Sequence, residues 1–163
     1  RDSQLGVSPA YIYNDRLYWV VEDNTGDRRG ICMVRSISLD GKATEEVYQP
    51  GMYLFGPQGN GEAIAWLDSN RGEESNLYVS VDGGAPRLVA QDVVGYGLGD
   101  HYVAYCKNER MYLYLYAKDE TLAVNKPDQR AVFSGVYGDT IFWFDITSDT
   151  VDRDILLYTK VTY

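Results

Sequence analysis

The 163-residue sequence predicts an all-β protein, a β-propeller of about four four-stranded antiparallel blades. Three observations carry that expectation. A turn pair, an apolar strand and a closing aromatic recur four times, at a period near forty residues. No segment keeps helical spacing of its apolar residues over ten positions. The strand after the turn pair is a continuous apolar run in places, as at Ala63–Leu67 and Thr140–Phe144, so its sheet needs cover on both faces.

The four turn pairs with their strands are Asn14-Asp15-Arg16-Leu17-Tyr18-Trp19, Gly59-Asn60-Gly61-Glu62-Ala63-Ile64-Ala65-Trp66, Gly99-Asp100-His101-Tyr102-Val103-Ala104-Tyr105 and Gly138-Asp139-Thr140-Ile141-Phe142-Trp143. Their closing aromatics, Trp19, Trp66, Tyr105 and Trp143, stand 47, 39 and 38 residues apart. Because they end the same strand in each repeat, all four are expected in the core. A short strand precedes each turn pair: Ala10–Tyr13, Met52–Phe55, Val94–Leu98 and Ala131–Tyr137. A further apolar strand follows: Ile31–Leu39, Leu77–Val81, Met111–Ala117 and Ile155–Val161. Asp40-Gly41 and Asp82-Gly83 come after the first two, and Asp-Gly tolerates the positive φ that a two-residue hairpin turn requires. A last strand closes three units, at Glu45–Tyr48, Arg87–Ala90 and Thr121–Val124. The blades so defined are residues 8–50, 51–91, 92–126 and 127–163. Arg110–Lys118 alternates Met, Tyr and Leu and reads as strand, and 15 Tyr, 3 Trp and 4 Phe suit pleated surfaces.

Twisted sheets that need cover on both faces find it by stacking around an axis. A β-sandwich is the alternative fold; its strands do not recur in groups of four. Leu17-Tyr18-Trp19-Val20, Ile37-Ser38-Leu39-Asp40-Gly41 and Val79-Ser80-Val81-Asp82-Gly83-Gly84 resemble the blades of bacterial secreted propellers of the lipoprotein-receptor (YWTD) type, and are similar to TolB-type repeats. In those families an LYW strand precedes an LDG turn. Here the tetrapeptide reads Tyr18-Trp19-Val20-Val21, and the third unit has no Asp-Gly. The resemblance spans the whole chain as a repeat. It implies the propeller fold and an extracellular or cell-surface location, and it carries over no catalytic residue.

Composition narrows the function. With 45% hydrophobic residues the chain can bury a core, which excludes a disordered tail. Its net charge of -9 repels phosphate backbones and anionic lipid, so no nucleic-acid partner is expected. No apolar run approaches the ~20 residues of a membrane helix, so no membrane insertion is expected. Cys32 and Cys106 lie in apolar strands and read as small buried hydrophobes, with a disulfide between them as the alternative. His101, the single histidine, reads as an exposed turn residue. Gly95-Tyr96-Gly97-Leu98-Gly99 is no phosphate loop, because no helix follows it.

In a propeller the loops after the turn-pair strand share one face. Here they hold eleven acids against six bases. Asp23, Asp27, Asp68, Glu73, Asp145, Asp149, Asp152 and Asp154 are the candidate binding residues of that acidic rim. A solvated loop face is the plain reading; a cationic, protein or glycan ligand is the functional one. Calcium, the cofactor that such oxygens suit, would use Asp145, Asp149, Asp152 and Asp154, or Asp23, Asn24 and Asp27; neither set has EF-hand spacing. Asp68 and Asp145 follow a tryptophan strand and could flank a glycan groove, as a glycosidase pair must. A repeated acid is more often structural, so the expected function is a non-enzymatic binding or scaffold propeller. A carbohydrate-active enzyme domain and a purely structural accessory segment are the alternatives.

The fourth unit has no last strand. Either Ser3–Val7 fills that place and closes a small ring, or the chain is a segment of a larger propeller. In the second case its uncovered end blades are expected to self-associate.

Overall fold

A computed structural model describes residues 10–23, 31–48, 53–69, 75–148 and 155–162. Arg1–Gln91 and Asp92–Tyr163 form two compact units. The first holds sheet 1, of β1 (Tyr11–Tyr13), β2 (Arg16–Asp23), β3 (Ile31–Ser38) and β4 (Thr44–Tyr48). It also holds sheet 2, of β5 (Tyr53–Gly59), β6 (Ala63–Ser69), β7 (Ser75–Val81) and β8 (Arg87–Ala90). The second holds sheet 3, of β9 (Gly95–Leu98), β10 (Tyr102–Lys107), β11 (Arg110–Leu115) and β12 (Glu120–Ala123). Its sheet 4 has three strands among the described residues: β13 (Ala131–Tyr137), β14 (Thr140–Asp145) and β15 (Ile155–Lys160). Every pairing is antiparallel between neighbours in sequence. The helical content of the described residues is one 3₁₀ turn, Tyr116–Lys118.

The turns explain the register. Asn14 and Asp15 both take positive φ, 48° and 53°, as do Asn108 and Glu109, 49° and 56°. Two successive left-handed residues make the type I′ turn that matches strand twist. Asp82 and Gly83, at 50° and 69°, do the same after β7, but residues 82–86 separate β7 from β8, so this connection is longer than the two-residue hairpin expected. Asp40-Gly41 differs from the two-residue turn expected of it. Only Gly41 is left-handed, and Ser38 N–H donates to the carbonyl of Ala43, so a four-residue loop joins β3 to β4. The Asp40 carboxylate holds that loop by accepting from Ser38 Oγ and Lys42 N–H. In β5 the register shifts between Phe55 and Gln58, and Pro57 falls inside this bulge, where its missing N–H breaks no ladder bond.

One hydrogen bond recurs in all four sheets. The carbonyl of the second turn residue accepts from the residue that follows the third strand: Asp15 from Leu39, Glu62 from Asp82, His101 from Tyr116 and Asp139 from Val161. The residues closing the turns, Arg16, Ala63, Tyr102 and Thr140, are therefore equivalent, and they define position 1 of β2, β6, β10 and β14. Trp19, Trp66, Tyr105 and Trp143 all occupy position 4.

Within each unit one sheet offers positions 3 and 5 and the next covers them with positions 2 and 4. Tyr18 and Val20 of sheet 1 pack with Ile64 and Trp66 of sheet 2. Ala104 and Cys106 of sheet 3 pack with Ile141 and Trp143 of sheet 4. The small residues of sheet 3 make room for large ones. A Cβ on Gly97 would stand 2.9 Å from the Phe133 ring and 3.1 Å from Val136, so a flat strand is what lets sheet 4 approach. That is the role of the Gly95-Tyr96-Gly97-Leu98-Gly99 run.

Trp66, Tyr105 and Trp143 are buried, at 0%, 4% and 4% exposure. Trp19 departs from the expectation and is only half-buried. Its face, positions 2 and 4, is the one that the preceding sheet of the same unit covers in sheets 2 and 4, and no described sheet precedes sheet 1. Cys106 is a free buried thiol whose pKa burial pushes up, and its Sγ donates to the Ala131 carbonyl at 3.3 Å. The side chain of Cys32 lies outside the described residues.

Candidate functional site

Of the eight acidic rim candidates, Asp27, Glu73, Asp149, Asp152 and Asp154 lie outside the described residues. Asp23 is described by its backbone alone, as the last residue of β2. Asp23, Asp68 and Asp145 sit in strands rather than in the loops expected for them. Each strand runs further because its ladder continues: Asp68 pairs with Asn76, and Asp145 with Ile155. Asp68 and Asp145 share position 6 of their strands, where sheet 1 has Val21 and sheet 3 has Lys107. They belong to different units.

In the second unit the rim is a connected polar network. The Asp145 carboxylate accepts from the Thr147 hydroxyl and from Thr147 N–H at 2.9 Å on Oδ1, and from Gln129 Nε2 at 2.9 Å on Oδ2. These donors, the Thr147 hydroxyl first, hold its carboxyl below the usual carboxylate range. The Thr147 Oγ1 in turn accepts from Arg130 N–H at 2.8 Å. The Arg130 guanidinium makes a bidentate pair with Glu109, both contacts 2.6 Å, and hydrogen bonding to it lowers the Glu109 pKa. Beside them buried Asn125 donates to the Gln129 carbonyl and accepts from Met111 N–H.

The network ties the β10–β11 turn, the β12–β13 connection and the start of the β14–β15 loop to one another. Carboxylates so occupied have few lone pairs left for a ligand. Among the described residues no three His, Cys, Asp or Glu side chains gather to hold a metal ion. His101 is exposed at its turn. Sequence reasoning missed Thr147, Gln129 and Arg130. Asp145-Ile146-Thr147 is a local pattern in which an aspartate caps the backbone two residues on, and was readable. The contributions of Gln129 and Arg130 arise only once the sheets pack.

No family model matches the chain, and no curated protein sequence matches it. Its fold does have solved counterparts. The chain is similar to the β-propeller domain of the trilobed protease from Pyrococcus furiosus, described as having an open velcro topology. The TM-score is 0.64 at 11% identity, over 94% of this chain and 53% of that one. It is also similar to a chain of a nidogen/laminin complex, at TM-score 0.51 and 16% identity, over 80% of this chain and 51% of that one. The chain thus spans about half the length of these structures. Its fold is that of a β-propeller, as the resemblance to YWTD- and TolB-type repeats implies.

Proposed function

We propose that this chain is a non-enzymatic binding or scaffold propeller of a secreted or cell-surface protein, with a protein or glycan as its ligand. The observation that carries the reading is the state of Asp145. A glycosidase needs one carboxyl kept protonated as a general acid and a second across a cleft. Asp145 is instead held ionised, with both oxygens committed to its own loop and to Gln129. Glu109 is likewise committed to Arg130. Such groups stiffen a loop rim, and a stiff rim on stacked sheets suits recognition. A protein ligand gains support from one similar structure being a complex of nidogen with laminin. The absence of calcium chemistry belongs to the same proposal.

The test uses the purified chain on a glycan array and with a panel of nitrophenyl glycosides. Binding without turnover is the expected pattern for a glycan ligand, and neither binding nor turnover for a protein ligand. Hydrolysis that disappears in Asp68→Asn or Asp145→Asn would overturn the reading in favour of the enzyme.

A further inference from the structure

The turn between β5 and β6 holds Asn60-Gly61, and of the seven asparagines in the chain Asn60 alone precedes a glycine. Asparagine is chemically labile, and a following glycine puts no Cβ in the way of cyclisation. The Gly61 nitrogen forms a bond to Cγ of Asn60. The Cγ–Nδ2 bond breaks, and Nδ2 leaves as ammonia with the proton that the Gly61 nitrogen gives up. A five-membered imide remains. Water opens it at either carbonyl, its hydroxyl going to that carbon and its other proton to the Gly61 nitrogen. Opening at Cγ gives aspartate. Opening at the main-chain carbonyl gives isoaspartate, whose backbone runs through Cγ and is one methylene longer.

The folded turn holds that amide in place. Asn60 Oδ1 accepts from Glu62 N–H at 2.8 Å and from Ala63 N–H at 2.7 Å. Asn60 N–H donates to the Ala63 carbonyl and Asp82 N–H to the Glu62 carbonyl, both at 3.0 Å, so the backbone is fixed on either side of Gly61. Ring closure needs the Asn60 side chain to become coplanar with the peptide it attacks. A side chain that caps two N–H groups resists this. Ala63 is fully buried, so losing its bond to Oδ1 would leave an unpaired N–H away from water. We infer that Asn60 is a modification site gated by the fold: the closed turn preserves its amide, and opening of the β5–β6 hairpin commits it to deamidation. The two products then part ways. Aspartate at this place keeps an oxygen for both N–H groups and binds them more strongly through its charge. Isoaspartate lengthens the backbone inside a turn whose register sets Gly59 opposite Ile64, and so obstructs its return. Chains that stay open are marked, and a part of them is kept from refolding.

The test incubates the chain at mildly alkaline pH with and without urea. Mass spectrometry and chromatography of the peptide around residue 60 follow the exchange of NH2 for OH and separate aspartate from isoaspartate. Asn60 should convert at least about tenfold more slowly in the folded chain, since two hydrogen bonds must break first. In urea it should convert ahead of the other six asparagines. Gly61→Ala should fold like the wild type, because Gly61 is exposed and an added Cβ meets nothing within 4 Å, and it should slow the conversion in urea. A folded chain that converts Asn60 as fast as the unfolded one, or faster, overturns the inference. So does another asparagine leading in urea, or a Gly61→Ala chain that converts there at the wild-type rate.

Discussion

Trp66 and Trp19 occupy the same place in their repeats and differ in energetic weight. Trp66 is fully buried between β-sheets and stacks on Tyr78, with ring centroids 6.2 Å apart. Trp66→Ala should cost about 3–5 kcal/mol in urea unfolding. Trp19→Ala should cost less than Trp66→Ala in the same measurement, since Trp19 is only partly buried. Gly97→Ala is the reverse experiment. It adds one methyl against Phe133 and Val136, and overpacking of that kind costs about 1–3 kcal/mol. At Asp145 the quantity at stake is pH dependence. Its folded pKa lies below its unfolded one, which is about 3.9. The stability it lends is therefore complete above the unfolded value and is lost as pH falls through the folded one. Urea midpoints followed from pH 7 down to pH 3 should drop at the acid end, and Asp145→Asn should flatten that drop.

The hairpin turns are where element stability is set. Glu109 holds a left-handed conformation that costs a side-chain residue about 1–2 kcal/mol, and it also holds Arg130. The ion pair is exposed and screened by water, so it contributes little. The backbone effect is the larger. Glu109→Gly should thus be neutral or slightly stabilising in thermal unfolding, whereas Glu109→Ala, which keeps the strain and loses the pair, should lower the melting temperature. The recurrent bond from the second turn residue to the end of the third strand sits at the same hairpins as the expected turn pairs. Turn pairs and hydrophobic runs made those hairpins legible in the sequence. β13 has the residue range expected of it, Ala131–Tyr137, because Gly138 punctuates one end. β5 runs past its expected end at Phe55, because a bulge at Pro57 lets pairing resume beyond a residue that ordinarily ends a strand.

On the scale of the whole molecule, circular dichroism should show a β-type spectrum without helical minima. The net charge of -9 means that like charges repel in the folded chain. Raising sodium chloride from about 0.01 M to 0.15 M shortens the screening length to about 8 Å and should raise the melting temperature. A calcium titration at constant ionic strength should leave it where it was. A selective rise with calcium would count against the proposed absence of a metal.

The sequence by itself determined the repeat, the antiparallel hairpins and the equivalence of Trp19, Trp66, Tyr105 and Trp143, because turn chemistry and hydrophobic runs are local. It also showed that Asp68 and Asp145 hold corresponding places. Only the tertiary structure decided what those places do. Whether a position-4 aromatic is buried depends on a neighbouring sheet, which Trp66 has and which no described residues give Trp19. Whether Asp145 is free for a ligand depends on Gln129, sixteen residues away, and on Thr147, whose hydroxyl links it through Arg130 to Glu109 in the next hairpin. Burial and hydrogen-bond partnership are properties of contacts between elements, and those contacts come into being when the sheets stack.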